Sequence, residues 1–358
     1  MIYQRAVARE FSTTAAGVFV ALFAILITTQ LIRLLNQAAG GKLAPEAVAA
    51  LLGFGALNYL PVVLSLTLFL SVLTSLTRMY RDSEMVVWFS SGLSLLAWVR
   101  PVTRFAMPLV LAIAVLSVFL SPWALSRSAE YRNRMNDREE VTNLAPGVFR
   151  ESKGADRVFF VESMAEDGAH VRNIFVSSRQ HGRLGVMVAE EGYTETRANG
   201  DRFLVLLNGR RYEGNPGTPE YGVMQFDRYA VRVELKSQPI QDGSPKLLPV
   251  WELAANPTPA NLGEIIWRLG LPLSALTLAL LAVPLSFVGP RAGRTSNLVV
   301  AILVYMIYSN FISVSQAWVQ QGKLAFELGL VGVHLAMLLA AGLLYYRRMS
   351  LTWLPTRK

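Results

Sequence analysis

The chain has 358 residues and no Cys; 53% are hydrophobic, only 16% are charged, and 34 Lys+Arg against 25 Asp+Glu leave a formal net charge of +9. A soluble domain carries roughly 25% charged residues, so polar surface is too scarce here for a water-soluble fold. Disorder, coiled coil and a disulfide scaffold are excluded as well, and the basic sum points to nucleic acid only if its charges cluster.

Six runs lack Asp, Glu, Lys and Arg for about 18 residues or more: 11–32, 47–77, 105–126, 269–290, 295–322 and 328–346. At about 1.5 Å per residue, a run of 22 reaches roughly 33 Å as a helix, enough to cross a hydrocarbon core of about 30 Å. Six such runs predict a polytopic α-helical membrane protein with six transmembrane helices. The first run is too long for a cleaved leader, whose apolar region covers about 7–15 residues, although Ala38, Ala39 and Gly40 are small enough for a cleavage site. The second run, with Pro45 and Glu46 as a helix first turn, exceeds a simple span. It must tilt, kink at Pro61 or include an interfacial turn.

Between the second and third runs lies R-M-Y-R-D-S-E-M-V-V-W-F-S-S-G-L-S, from Arg78. Asp82 or Ser83 can cap a short helix over about 82–91, Glu84 suits its first turn and Gly92 can end it. Met85, Trp88 and Phe89 share a face at helical spacing. Such a helix either lies on the headgroups or docks in a groove of a cytoplasmic partner.

Residues 127–268 differ in kind, with 19 Lys/Arg and 20 Asp/Glu. A polar helical stretch, 126–141, prolongs the third span. Short runs follow at 157–161, 173–177, 185–189, 202–207 and 224–233, punctuated by Asp167-Gly168, Asn199-Gly200, Asn208-Gly209 and Asn215-Pro-Gly217. This pattern predicts an all-β insert, a sandwich or jelly roll. The expected organisation is 1–126 with spans one to three, 127–268 as the β domain and 269–358 with spans four to six.

The insert has a net charge of −1, so the membrane half carries +10. Twelve basic residues fall on the side that holds both termini: Arg5, Arg9, Arg78, Arg81, Arg100, Arg104, Arg291, Arg294, Arg347, Arg348, Arg357 and Lys358. Arg33, Lys42 and Lys323 face them across the membrane. The positive-inside rule makes the twelve cytoplasmic and the β insert extracytoplasmic. The basic charge is thus a topology signal, not a nucleic-acid footprint. Arg33, Lys42 and Lys323 read either as snorkelling interface anchors or as cations for an anionic ligand entering from the outer leaflet.

Catalytic signals are scarce. The chain has no G-x-x-x-x-G-K-[ST], no H-E-x-x-H and no G-x-S-x-G, so ATP binding, metal ligation (no metal site) and serine hydrolysis lack their residues. His170 and His181 lie among turn residues, and His334 falls inside the last run, where a bond to a neighbouring helix is preferred over a proton relay. None of the six runs holds a charged residue, which disfavours ion coupling. A non-catalytic chain is expected.

The sequence resembles the LptF/LptG family, the permease subunits of the Gram-negative lipopolysaccharide exporter, and within it the LptF branch. The likeness rests on the opening M-I-Y-Q-R-A-V-A-R-E, Y-R-D-S-E-M (80–85), P-G-V-F (146–149), V-F-F-V-E-S (158–163) and V-P-L-S-F-V-G-P-R-A-G-R (283–294). It implies an inner-membrane subunit of an ATP-driven ABC-type transporter with both termini cytoplasmic and a periplasmic β jelly roll. The implied partners are a homologous LptG-like subunit, a dimer of an LptB-like ATPase, periplasmic LptC-like and LptA-like jelly rolls, and lipopolysaccharide. No cofactor is expected in this chain, since ATP and Mg bind the ATPase. The resemblance makes the short helix the coupling helix, with Glu84, Ser83, Met85 and Trp88 as its ATPase-coupling residues. Arg33, Lys42 and Lys323 become candidates for lipid phosphate, while 158–161 and 174–176 suit an apolar wall. Against this stands a membrane sensor or assembly scaffold whose β domain binds a ligand; it needs no ATPase.

Overall fold

The computed structural model describes residues 2–40, 43–142, 147, 149–151, 157–164, 170–180, 183–196, 202–214, 221–232, 244–287 and 294–353. They divide into two compact units, Met1–Arg132 with Gln241–Lys358, and Asn133–Ile240.

The first unit is helical. Its elements are α1 (Ile2–Ala39), α2 (Ala47–Arg81), α3 (Glu84–Ser90), α4 (Val99–Val115), α5 (Ser121–Thr142, which runs on into the second unit), α6 (Val250–Ala255), α7 (Pro259–Leu285), α8 (Arg294–Gln320) and α9 (Phe326–Trp353). A five-residue π turn, Leu116–Leu120, joins α4 to α5 without breaking the rod. Among the described residues, six stretches have the length and apolarity to cross a membrane: Ala6–Ala39, Ala47–Arg81, Leu95–Met135, Pro259–Leu285, Asn297–Gln320 and Phe326–Met349. Each overlaps one of the six charge-free runs and extends beyond most of them into charged residues. α2 continues through Pro61, which is buried.

α2 and α7 form the centre of the bundle. Leu68, Phe69, Val72, Leu73 and Leu76 of α2 are buried with Ala275, Leu278, Ala279 and Ala282 of α7. Between membrane helices, lipid tails are as apolar as Leu, so association rests on van der Waals fit; small residues let the backbones approach. α1, α8 and α9 stay largely exposed along their apolar windows.

α7 corrects the expected boundary at 268. Thr258 caps the helix by accepting from the Asn261 N–H, and Pro259 occupies the first position, where its missing N–H costs nothing. The helix therefore begins ten residues before the charge-free run, carrying Glu264 and Arg268 inside it, both buried. Counting charges placed these two in the β insert, whereas the helix neutralises one with the other.

The second unit holds the inserted all-β fold. Strands β1 (Arg150–Glu151), β2 (Arg157–Met164), β3 (His170–Gln180), β4 (Arg183–Thr196), β5 (Arg202–Gly214) and β6 (Tyr221–Arg232) form one sheet in sequential order. Every neighbour is antiparallel. The five expected strands are present and longer than their apolar runs. Asp167-Gly168, Asn199-Gly200 and 215–217 lie outside the described residues, but Asn208-Gly209 is no turn: it sits within β5.

The reason is a crease across the sheet. Ladder pairing runs on both sides of Glu162, Asn173, Glu190, Asn208 and Asp227 in one constant register and lapses at these five. Asn173 and Asn208 take left-handed φ of 51° and 50°, which Asn tolerates better than most residues. A residue spent in this way in each strand brings side chains three apart onto the same face: Val171 with Ile174, Phe226 with Tyr229. The apolar side chains of five strands consequently join one buried cluster, Val161 through Phe226.

Candidate functional site

The most specific motif is the loop after α2. Asp82 ends that helix, and Ser83 turns the chain with a left-handed φ of 62° before α3 begins at Glu84. Ser83 makes no side-chain cap bond; the cost of its backbone is carried by the packing of its neighbours. At the other end, Gly92 at φ 89° donates its N–H to Phe89 O (3.0 Å), and Leu93 donates to Trp88 O (3.2 Å). This paired closure requires the left-handed residue that Gly supplies.

The two faces of α3 differ from the sequence expectation. Met85 is 1% exposed and belongs to the bundle core, with Trp88 half-buried against it. Phe89 meets Tyr80 with ring centroids 6.2 Å apart in a tilted arrangement. Met85 and Trp88 fasten α3 to the bundle, while Phe89 stays 37% exposed at its edge. The outward apolar pair is Val86 and Val87, 65% and 64% exposed. The helical spacing of Met85, Trp88 and Phe89 marked an apolar face correctly but could not say toward what it pointed.

One arginine organises the charges here. Arg78 lies 3.0 Å from Glu10 of α1, 3.4 Å from Asp82 and 3.3 Å from Glu84. Exposed pairs contribute little stability each, but a shared guanidinium fixes where the Glu84 carboxylate points. It also links α3 to α1 through a single side chain. Asn297 of α8 donates to Oγ1 of the adjacent Thr77 at 2.8 Å. Sequence reading missed Arg78 because its partners are 68, 4 and 6 residues away, and only the first identifies α1.

The three isolated cations fare differently. Arg33 is exposed in the last turns of α1, and its charge reaches Arg132 of α5. Lys323 is exposed in the turn after α8, its N–H bonded to Trp318 O. Lys42 lies outside the described residues. His334 of α9 bonds through Nδ1 to Tyr308 Oη of α8, buried, as preferred from sequence. No group of three or more His, Cys, Asp or Glu able to hold a metal ion occurs among the described residues.

Comparison with known proteins agrees with this architecture. The model of the family described as lipopolysaccharide export system permease LptF/LptG matches residues 5–347. The lipopolysaccharide export system permease protein LptF of Escherichia coli K12 is 26% identical over 311 residues, which cover 86% of this chain and 84% of that protein. LptF of Shigella flexneri is similar to the same extent.

Proposed function

The chain belongs to the LptF/LptG family of lipopolysaccharide export permeases, and from that premise we propose that it is the LptF-like, non-catalytic membrane subunit of an ATP-driven exporter. Lipopolysaccharide is its cargo. A sibling LptG-like subunit and a dimeric LptB-like ATPase complete the transporter, and LptC-like and LptA-like jelly rolls receive the lipid. ATP and Mg bind the ATPase, and this chain needs no cofactor of its own. The chain sits in the inner membrane of a Gram-negative cell with both termini cytoplasmic and the β insert periplasmic. The charge asymmetry of its loops supports this orientation.

The observation that carries the reading is α3. A short helix clamped to the bundle by Met85 and Trp88 moves with the spans, while its open side offers Glu84, Val86 and Val87. Force applied there by a nucleotide-driven partner reaches α2 directly and α1 through Arg78. A multi-acyl lipid resists transfer through water at about 0.8 kcal/mol per exposed methylene. The sheet's apolar cluster, with Val161, Ile174 and Val176 in its wall, suits such chains, while Arg33, Lys42 and Lys323 suit phosphate.

The test is Glu84→Lys in the reconstituted complex. The acid meets a basic partner residue in this reading, so the substitution places like charges together. ATP-driven lipid release falls at least about tenfold while the chain keeps its fold. Undiminished release overturns the role of Glu84. Purification of the chain without a stoichiometric ATPase favours the sensor or scaffold reading instead.

A further inference from the structure

A second polar site lies inside the helical unit, away from α3. A cavity of about 420 Å³ opens between α2, α5, α7 and α8, with Asn58, Ser117, Ser121, Lys246, Glu264 and Arg268 among its lining residues. Arg268 and Glu264 side chains are 2% and 6% exposed and pair at 3.0 Å. Charges buried in a membrane protein's helical bundle are costly and mark functional sites by default.

The pair does not satisfy itself. Arg268 spends Nε on Glu264 and Nη2 on the carbonyls of Pro245 and Lys246, at 3.0 and 3.3 Å. Its Nη1 and the Oε2 of Glu264 are buried without a hydrogen-bond partner among the described residues. A buried donor and acceptor left open cost more than the pair returns, unless something of matching chemistry occupies the space beside them.

The backbone at Arg268 is tied to the neighbouring π turn. Ser117 donates to the Arg268 carbonyl at 3.0 Å from the π turn Leu116–Leu120. Such turns interrupt regular helices mostly at functional positions. Ser121, just past the turn, donates to Asn58 Oδ1 and leaves the Asn58 amide NH2 as a further donor. Lys246 is exposed at the mouth, and its charge bears on Glu264. Two cations thus face one carboxylate, leaving an excess positive charge with an unpaired acceptor beside it.

We propose that this cavity is a binding site for a phosphate monoester bearing a neighbouring hydroxyl. Arg268 and Lys246 hold the phosphate, and Glu264 Oε2 accepts from the hydroxyl. A bare carboxylate leaves most of the volume empty and gives Glu264 nothing to accept. A phosphodiester capped by a cationic choline brings a third cation and gives up one of the phosphate's ionisable oxygens. The ligand is either a lipid headgroup entering sideways between the helices or a soluble phosphate ester; the site does not depend on the transport reading.

The experiment uses the full-length chain in detergent, probed with lysophosphatidic acid, lysophosphatidylcholine and glycerol 3-phosphate. Native mass spectrometry reads retained lipid, and thermal unfolding reads protection by the soluble ester. Variants are Lys246→Gln, at an exposed side chain, and Arg268→Lys, which keeps the buried charge but lacks the further guanidinium N–H donors. Retention of lysophosphatidic acid over lysophosphatidylcholine by about tenfold, lost in both variants, supports the site with a lipid source. Protection by glycerol 3-phosphate, lost in both variants, supports it with a soluble source. Equal retention of the two lipids together with no protection overturns the proposal, as does selectivity that survives both substitutions.

Discussion

Tyr308 and His334 show what one polar contact does inside a bundle. Each is buried, and the hydroxyl and ring nitrogen bond across α8 and α9. Neither finds water as an alternative partner, so the pair holds two peripheral helices at one height. A Cβ on Gly270 would sit 3.7 Å from His334 Nε2, so α7 approaches the same ring closely. Tyr308→Phe keeps the ring packing and strands the His334 nitrogen. Leaving a buried polar atom without its partner costs about 1–3 kcal/mol, read as a lowered thermal midpoint of the purified chain. The double variant with His334→Leu recovers part of that loss, because both polar groups are then gone. Ser83 and Arg78 act at the same scale in α3, one by its left-handed backbone and the other by its three carboxylates. Arg78→Ala is expected to leave stability within about 1 kcal/mol and to lower ATP-driven release severalfold, since Glu84 and Glu10 lose their common partner.

At the scale of elements, the crease decides the β fold. Gly209 and Gly192 lie beside it where backbones and side chains meet closely: a Cβ at Gly209 would stand 2.5 Å from Phe226 Cζ and from Val188 O. One obstacle is a neighbouring backbone oxygen, which cannot step aside. Gly209→Ala therefore costs about 1–3 kcal/mol by overpacking, seen as faster hydrogen exchange in β4, β5 and β6. The alternating runs made strand positions legible in the sequence. The crease was not legible, because Asn-Gly between apolar runs is also the commonest hairpin signal. Which of the two it becomes depends on whether neighbouring strands carry a compensating irregularity at the same level. The spans were easier to read, since absence of charge over a membrane's width has few other meanings. α7 escaped in part for the same reason: an ion pair at i, i+4 ends a charge-free run without ending a helix.

On the scale of the whole molecule, two cores share one chain. The helical core centres on α2 and α7, and the sheet keeps its own apolar cluster. Each unit opens by itself in that case. Hydrogen exchange on the full chain is expected to show separate protection classes, and Gly209→Ala lowers that of the sheet while leaving α2 and α7 unchanged. A uniform loss across both units would contradict it. The site residues divide along the same line of legibility. Glu84 stood out by motif, and Arg33 and Lys323 by topology. Arg78 and the Glu264–Arg268 cavity required three-dimensional neighbours that no local spacing records.

The shared level of Asn173 and Asn208 has a consequence for how such a chain can change over generations. Because every long strand gives up pairing at one height, adding or deleting a residue in any single strand puts that strand's apolar side chains on the wrong face beyond the crease. Length variation is tolerated in the connections between strands, whereas the strands themselves must vary by substitution. Relatives of this protein are therefore expected to differ in loop length while the number of residues on either side of the crease stays fixed.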